Sequence, residues 1–276
     1  MQTPDATPVA LDTWPRREAY TFFSGLSDPF YSVTATLDIT ALHAYTKRHG
    51  ISFYYALVWL CTQAINHTTA FRYAIRGGQP VLLGRREPSF TDLHPGAEQF
   101  HIVTMPADCT LDGFCRDARI KSRAQTEFLS AAAESDALIY FSSLPWITLT
   151  ALTNERDFDP DDAIPRIAWG KYYREGAREV LGLSIEVNHR LIDGLHIGQF
   201  VQDLQQRIDT LGAKRLPRRT KQFPRCLTLV RQRGLCFISD QPIRRRPLTR
   251  RPRRSCPSSS WRRSRSPWRW RRRECR

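Results

Sequence analysis

No two of the seven cysteines in this 276-residue chain stand at C-x-x-C spacing. Cys61, Cys109 and Cys115 lie in the body, and Cys226, Cys236, Cys256 and Cys275 lie near the end. A zinc ribbon or a thioredoxin-like redox pair is therefore not expected, and no metal site is assigned. Cys61 falls in an apolar helical pattern, where a thiol acts as a small core residue. No apolar run approaches the roughly 20 residues needed to cross a bilayer. Met1 to Asp12 holds acids and prolines but no apolar stretch, so it does not read as a secretory signal. These absences point to a soluble protein in the reducing cytoplasm, with no membrane partner.

Acidic residues are scarce at one end only. From Lys214 to Arg276 there are 23 Lys and Arg but only two acids, Asp240 and Glu274, giving that stretch +21. The whole chain carries +15, so residues 1–213 carry −6. The basic excess belongs to a tail, and the body is mildly acidic. Within the tail, Arg244-Arg245-Arg246, Arg253-Arg254 and Arg271-Arg272-Arg273 alternate with Pro, Ser and Trp. Its only apolar runs, Cys226–Val230 and Leu235–Ile238, are too short to offset the entropy of ordering. Residues 214–276 are thus expected to be disordered, an appended or out-of-frame extension. The rival reading is a nucleic-acid arm, with arginines on phosphates and Trp261, Trp268 and Trp270 stacked on bases. Nucleic acid is not the favoured partner.

The body alternates between strand and helix periods. Tyr31 to Ile39 is β-branched and alternating, a strand. Thr40 is read as the cap of a helix that Gly50 stops, and Ser52 as the cap of the next. Phe71 to Leu83 reads as a hairpin turning at Gly77-Gly78. Glu98 to Met105 suggests a strand, Thr110 to Leu129 a helix. Leu138–Phe141 and Ile147–Leu152 flank Ser142-Ser143-Leu144-Pro145-Trp146. Interleaving of this kind predicts an α/β domain over residues 1–213, in two layers, with helices on a mixed sheet.

Near the end of the body, the apolar run Val180–Val187 leads into Asn188-His189-Arg190-Leu191-Ile192-Asp193-Gly194. A helix follows, with Leu195, Phe200, Val201, Leu204, Ile208 and Leu211 on one face. A histidine thus stands where a strand stops, with an acid four residues on at a helix mouth. That arrangement suits a general base supported by a carboxylate. Asp193 also suits the N-cap of the helix. The other histidines, His43, His49, His67, His94, His101 and His196, read as packed or capping side chains.

Seven blocks, in order, resemble the type A chloramphenicol acetyltransferases: Trp14-Pro15-Arg16-Arg17-Glu18, Ser52-Phe53-Tyr54, Phe71-Arg72-Tyr73-Ala74, Phe90-Thr91-Asp92-Leu93-His94, Ser142 to Trp146, Gly170-Lys171-Tyr172-Tyr173, and Asn188-His189 with Asp193-Gly194-Leu195-His196. The resemblance covers roughly residues 10–212. It implies a CoA-dependent acyltransferase fold and a homotrimer with active sites between subunits. It implies His189 as the base that deprotonates an acceptor hydroxyl, which then attacks the thioester of acetyl-CoA with no acyl-enzyme. Acetyl-CoA is then a co-substrate, with no permanently bound cofactor, and the acceptor is chloramphenicol at its 3-hydroxyl or a similar small alcohol. Ser142 is implied as the oxyanion donor, Arg16 and Asp193 as a buried ion pair supporting the site. Phe22, Phe23 and Phe100 are implied in the acceptor pocket, and Lys171 at a CoA phosphate. Two positions depart from the family pattern: Asn188 replaces a histidine, and Ser52 replaces a lysine. Both bear on CoA affinity and acceptor identity rather than on the type of reaction. The histidine motif also resembles that of dihydrolipoamide acyltransferases, which usually carry a preceding lipoyl domain. This chain reaches the Arg16 block almost at once, so that reading ranks lower.

Overall fold

Strand β10 (Arg178–Asn188) organises the fold. It pairs antiparallel with β2 (Phe30–Asp38) on one side, and with β8 (Arg166–Gly170) and the short β9 (Tyr173–Glu175) on the other elements of its sheet. Beyond β8 the sheet continues through β7 (Leu138–Leu144), β5 (Glu87–Asp92) and β6 (His101–Thr104), in the order β2-β10-β8-β7-β5-β6. The β8–β7 and β7–β5 pairs are parallel and the rest antiparallel, so the sheet is mixed as expected. A separate sheet joins β1 (Ala6–Pro8), β4 (Gln79–Leu83) and β3 (Tyr73–Arg76). The hairpin between β3 and β4 turns at Gly77 and Gly78, whose φ values of 57° and 73° favour glycine. This computed structural model describes residues 5–213. The expected tail and its boundary lie outside the described residues.

Five α-helices accompany the sheets among the described residues: α1 (Arg17–Ser24), α2 (Thr40–His49), α3 (Phe53–His67), α4 (Leu111–Ala124) and α5 (Gly194–Ala213). Gly50 ends α2 at φ 65°, and Ser52 caps α3 by accepting the Tyr55 N–H, both as expected. Thr40 does not cap α2 with its hydroxyl. Thr40 is the first helical residue and Ile39 holds the N-cap position without a side-chain bond; Asp38 accepts the Thr40 N–H at 3.0 Å, while the Thr40 hydroxyl accepts the Glu179 N–H at 2.8 Å. Helix α4 is shorter than the polar pattern suggested, because its last turn closes at Gln125. No helix among the described residues is long and apolar enough to cross a membrane.

The two faces of β10 differ in chemistry. Leu181, Leu183, Ile185 and Val187 enter the core with Leu57, Leu60 and Ala64 of α3 and Phe200, Leu204 and Ile208 of α5. Burying each such large side chain stabilises the fold by roughly 1.5–3 kcal/mol. Gly182, Ser184, Glu186 and Asn188 alternate with them and so face the other way. That face is covered by residues 147–164. The Leu149 carbonyl lies 2.2 Å from where a Gly182 Cβ would sit. Ser184 donates to the Leu152 carbonyl at 3.1 Å. Glu186 accepts the Asn154 N–H at 2.9 Å and Arg156 at 2.5 Å. Asn188 donates to the Asp162 carbonyl at 2.8 Å. Residues 147–152 are therefore not a strand. Their backbone crosses over glycines and polar side chains instead of joining a ladder.

Candidate active site

Strand β10 ends at Asn188 and α5 begins at Gly194, so His189 stands on the turn between them. Its N–H donates to the Pro29 carbonyl at 2.8 Å. The imidazole stacks on Phe23 with ring centres 3.9 Å apart and planes 21° off parallel. Tyr31 stands 4.3 Å away on another side. Phe22 meets Phe23 edge-on at 5.1 Å and is itself 69% exposed. Burial lowers the His189 pKa from the ordinary histidine value; the Asp193 charge opposes the shift and Arg16 adds to it. At neutral pH the ring is therefore unprotonated and able to accept a proton.

Arg16 and Asp193 meet directly, with Nη1 donating to Oδ2 at 2.6 Å. Nη2 of Arg16 donates to the His189 carbonyl at 3.3 Å, so one guanidinium touches both the acid and the turn. Arg16 is 14% exposed at its side chain and Asp193 38%, so the pair expected to be buried is only partly so. Burial tends to raise the Asp193 pKa, but the hydrogen bond from Arg16 and the charges of His196 and Arg16 outweigh it and the net shift is down. Oδ1 also accepts the Leu195 N–H at 3.1 Å, so Asp193 caps α5 while holding Arg16. His196 joins them, its Nδ1 2.9 Å from Asp193 Oδ1 and 3.1 Å from the Asp193 N.

Ser142 belongs to a different surface. It sits on β7, paired with Ala168 of β8, and lines a cavity of about 1370 Å³. Phe100, Trp146, Trp169, Lys171 and Tyr172 also line it. A drug-sized ligand needs about 300–1,000 Å³, so there is room for a small acceptor and the arm of a second substrate. Lys171 is exposed at the rim, and its N–H donates to the Ile147 carbonyl at 2.6 Å. The wall is stiffened by Asp92, which accepts the Tyr55 hydroxyl and, at 2.6 Å, the Ser122 hydroxyl. Burial raises the Tyr55 pKa, so that phenol stays a donor.

The residues singled out from sequence thus form two groups. His189, Asp193, Arg16, Phe22 and Phe23 gather at the start of α5. Ser142, Phe100 and Lys171 gather on the cavity, whose lining does not include His189. Within one chain, the candidate base is not among the residues that line the cavity holding the candidate oxyanion donor. Sequence reasoning passed over Tyr31 and read His196 only as packed or capping. The signal for His196 was its position three residues after Asp193, one helical turn on. Among the described residues, no three His, Cys, Asp or Glu side chains gather as a metal site would require.

A mixed sheet of this order, with helices packed on it and a histidine at the end of its long penultimate strand, defines a CoA-dependent acyltransferase fold. A solved chloramphenicol acetyltransferase superposes with a TM-score of 0.66 at 22% identity, covering 73% of this chain and 99% of that one. The cubic core of the pyruvate dehydrogenase multienzyme complex gives 0.54 at 20% identity, covering 71% and 88%. Residues 5–205 match the family model described as chloramphenicol acetyltransferase, and the chain belongs to that family. Chloramphenicol acetyltransferase 3 of Escherichia coli is 28% identical over 204 residues, spanning 72% of this chain and 95% of its own. The enzyme of Streptomyces acrimycini is 30% identical over 207 residues, spanning 73% and 94%. Acyltransferases of this family use acetyl-CoA as co-substrate, and they typically form trimers.

Proposed function

We propose that this protein transfers the acetyl group of acetyl-CoA to the 3-hydroxyl of chloramphenicol, inactivating the antibiotic. The observation that carries the reading is the half-buried His189 at the end of β10, stacked on Phe23 and backed by the Arg16–Asp193 pair. In this reading His189 takes the proton from the acceptor hydroxyl as its oxygen attacks the thioester carbonyl carbon. Negative charge gathers on the carbonyl oxygen, where the Ser142 hydroxyl donates to it. Collapse breaks the carbon–sulfur bond, and His189 returns the proton to the departing CoA thiolate. No group on the enzyme is acylated. Phe22, Phe23 and Phe100 suit a nitrophenyl ring, and Lys171 at the cavity rim suits a CoA phosphate. Asp193 and Arg16 hold the turn rather than touch the reactants.

Separation of the two groups within one chain supports a trimer in which His189 of one subunit faces the Ser142 cavity of its neighbour. Supply of acetyl-CoA favours a cytoplasmic setting. The test is thiol release from acetyl-CoA with and without chloramphenicol, run beside His189→Ala. Release that requires both chloramphenicol and His189 is the expected result. Release independent of His189 sinks the mechanism, whereas His189-dependent release with other alcohols alone keeps the mechanism and changes the acceptor.

A further inference from the structure

Among the described residues, neither ring nitrogen of His189 has a hydrogen-bond partner. The direction of the imidazole is set by stacking and by its own backbone. The two residues that flank it are both buried, Asn188 at 1% exposure and Arg190 at 6%. Asn188 Oδ1 accepts from the Arg190 N–H at 3.0 Å and from its Nε at 3.2 Å. Asn188 Nδ2 donates to the Asp162 carbonyl at 2.8 Å. Arg190 Nη2 donates to the Pro160 carbonyl, and the guanidinium lies 5.9 Å from the centre of the Tyr20 ring. The Asn188 carbonyl accepts the N–H groups of Leu191 and Ile192, both at 3.1 Å.

The segment that receives these bonds is itself tied down. Asp161 accepts the N–H groups of Gly77 at 2.5 Å and Gly78 at 3.0 Å, which binds it to the β3–β4 turn. Asp162 pairs with Arg166 of β8 at 2.8 Å. No carboxylate among the described residues forms a direct ion pair with Arg190, though the charges of Asp161 and Asp162 and the Tyr20 phenol act on it. Its directed hydrogen bonds to the Asn188 amide oxygen and the Pro160 carbonyl suit a planar fork and would not suit the point charge of a lysine.

We propose that Asn188 and Arg190 are a positioning pair, which fixes the aim of His189 by fastening the main chain on both sides of it to residues 160–162. The proposal rests on the reading of His189 as the general base. It also gives Asn188 a task of its own where relatives of the resembled type carry histidine. The pair acts through the backbone and touches no reactant. A misplacement of about 1 Å at a reacting group can cost about 10²-fold in rate.

The test uses full-length Arg190→Met, Arg190→Lys and Asn188→Ser beside the parent. For Arg190→Met, kcat should fall by about 10²-fold while the KM for each substrate stays within about twofold. Arg190→Lys and Asn188→Ser should fall between that variant and the parent, and they decide the matter if Arg190→Met does not fold. Crystal structures of the folded variants should show the His189 ring moved from its stacking on Phe23. A ring that stays in place with kcat unchanged overturns the proposal, as does a loss seen in KM alone. If the parent shows no acetyl transfer, the functional reading fails by itself, and displacement of the ring still decides whether the pair positions it.

Discussion

His189 owes its chemistry to what surrounds its ring. Stacking on Phe23 removes water from one face, and that burial lowers its pKa. A group whose folded pKa is lowered becomes protonated only at more acidic pH, so the imidazole stays able to accept a proton as the solution is acidified. The acid limb of kcat/KM should therefore have its midpoint below the ordinary histidine value, with activity lost as pH falls through it. Phe23→Ala wets the ring and should move the midpoint upward; a pH–rate profile of both proteins checks this, and a midpoint that drops on substitution refutes it. Ser142→Ala should lower kcat by about 10²–10³-fold, roughly 2.7–4 kcal/mol of transition-state stabilisation, with an unchanged melting temperature. At this scale the sequence was most legible where the partners are close along the chain. A strand, a histidine and an acid before a helix are all local, and Asp193 does cap α5. The work of Asn188 was not legible, because its partner carbonyl at Asp162 is brought to it only by the folded sheet.

Strand β10 shows how one element can bury both faces by different means. The apolar run Val180–Val187 announced a buried strand, and burial on the helix side follows from its leucines and valines. Nothing local announced that its other face would hold a crossing segment. That segment is β-branched at Ile147, Thr148 and Thr150, a composition that also suits a strand. It cannot join the ladder, because β10 is already paired on both edges by β2 and β8. The short strand β8 escaped notice for the opposite reason, since five residues including Arg166, Ala168 and Gly170 carry no clear period. The crossing depends on glycine. A Cβ on Gly182 would lie 2.2 Å from the Leu149 carbonyl, and one on Gly170 would lie 2.5 Å from the Leu149 N. Both obstacles are backbone, so the segment has to move. Gly182→Ala should destabilise the protein by about 1–3 kcal/mol, as overpacking does. It should also raise the KM for acetyl-CoA, because Pro145 and Trp146, just before the segment, line the cavity. Thermal unfolding and steady-state kinetics read the two effects separately. A variant with unchanged stability would show that the crossing is looser than its geometry.

The molecule as a whole divides its candidate machinery between two surfaces, and that division can be tested by mixing protomers. If His189 of one subunit serves the Ser142 cavity of the next, a site needs one intact copy of each from different chains. His189→Ala trimers lack every base, and Ser142→Ala trimers lack every oxyanion donor. In a mixed trimer with cyclic symmetry, one of the three interfaces pairs the surviving histidine of one parent with the surviving serine of the other. Unfolding the two variants together in equal amounts and refolding them should therefore restore roughly a quarter of the parent activity, since random assembly makes about three-quarters of trimers mixed. Mixing them without unfolding should restore nothing if the trimers do not exchange. A site built within one chain behaves otherwise, because no mixture then contains an intact pair and activity stays at the sum of the two variants. The outcome is independent of the acceptor, so any hydroxyl substrate that the parent acetylates will serve for the measurement.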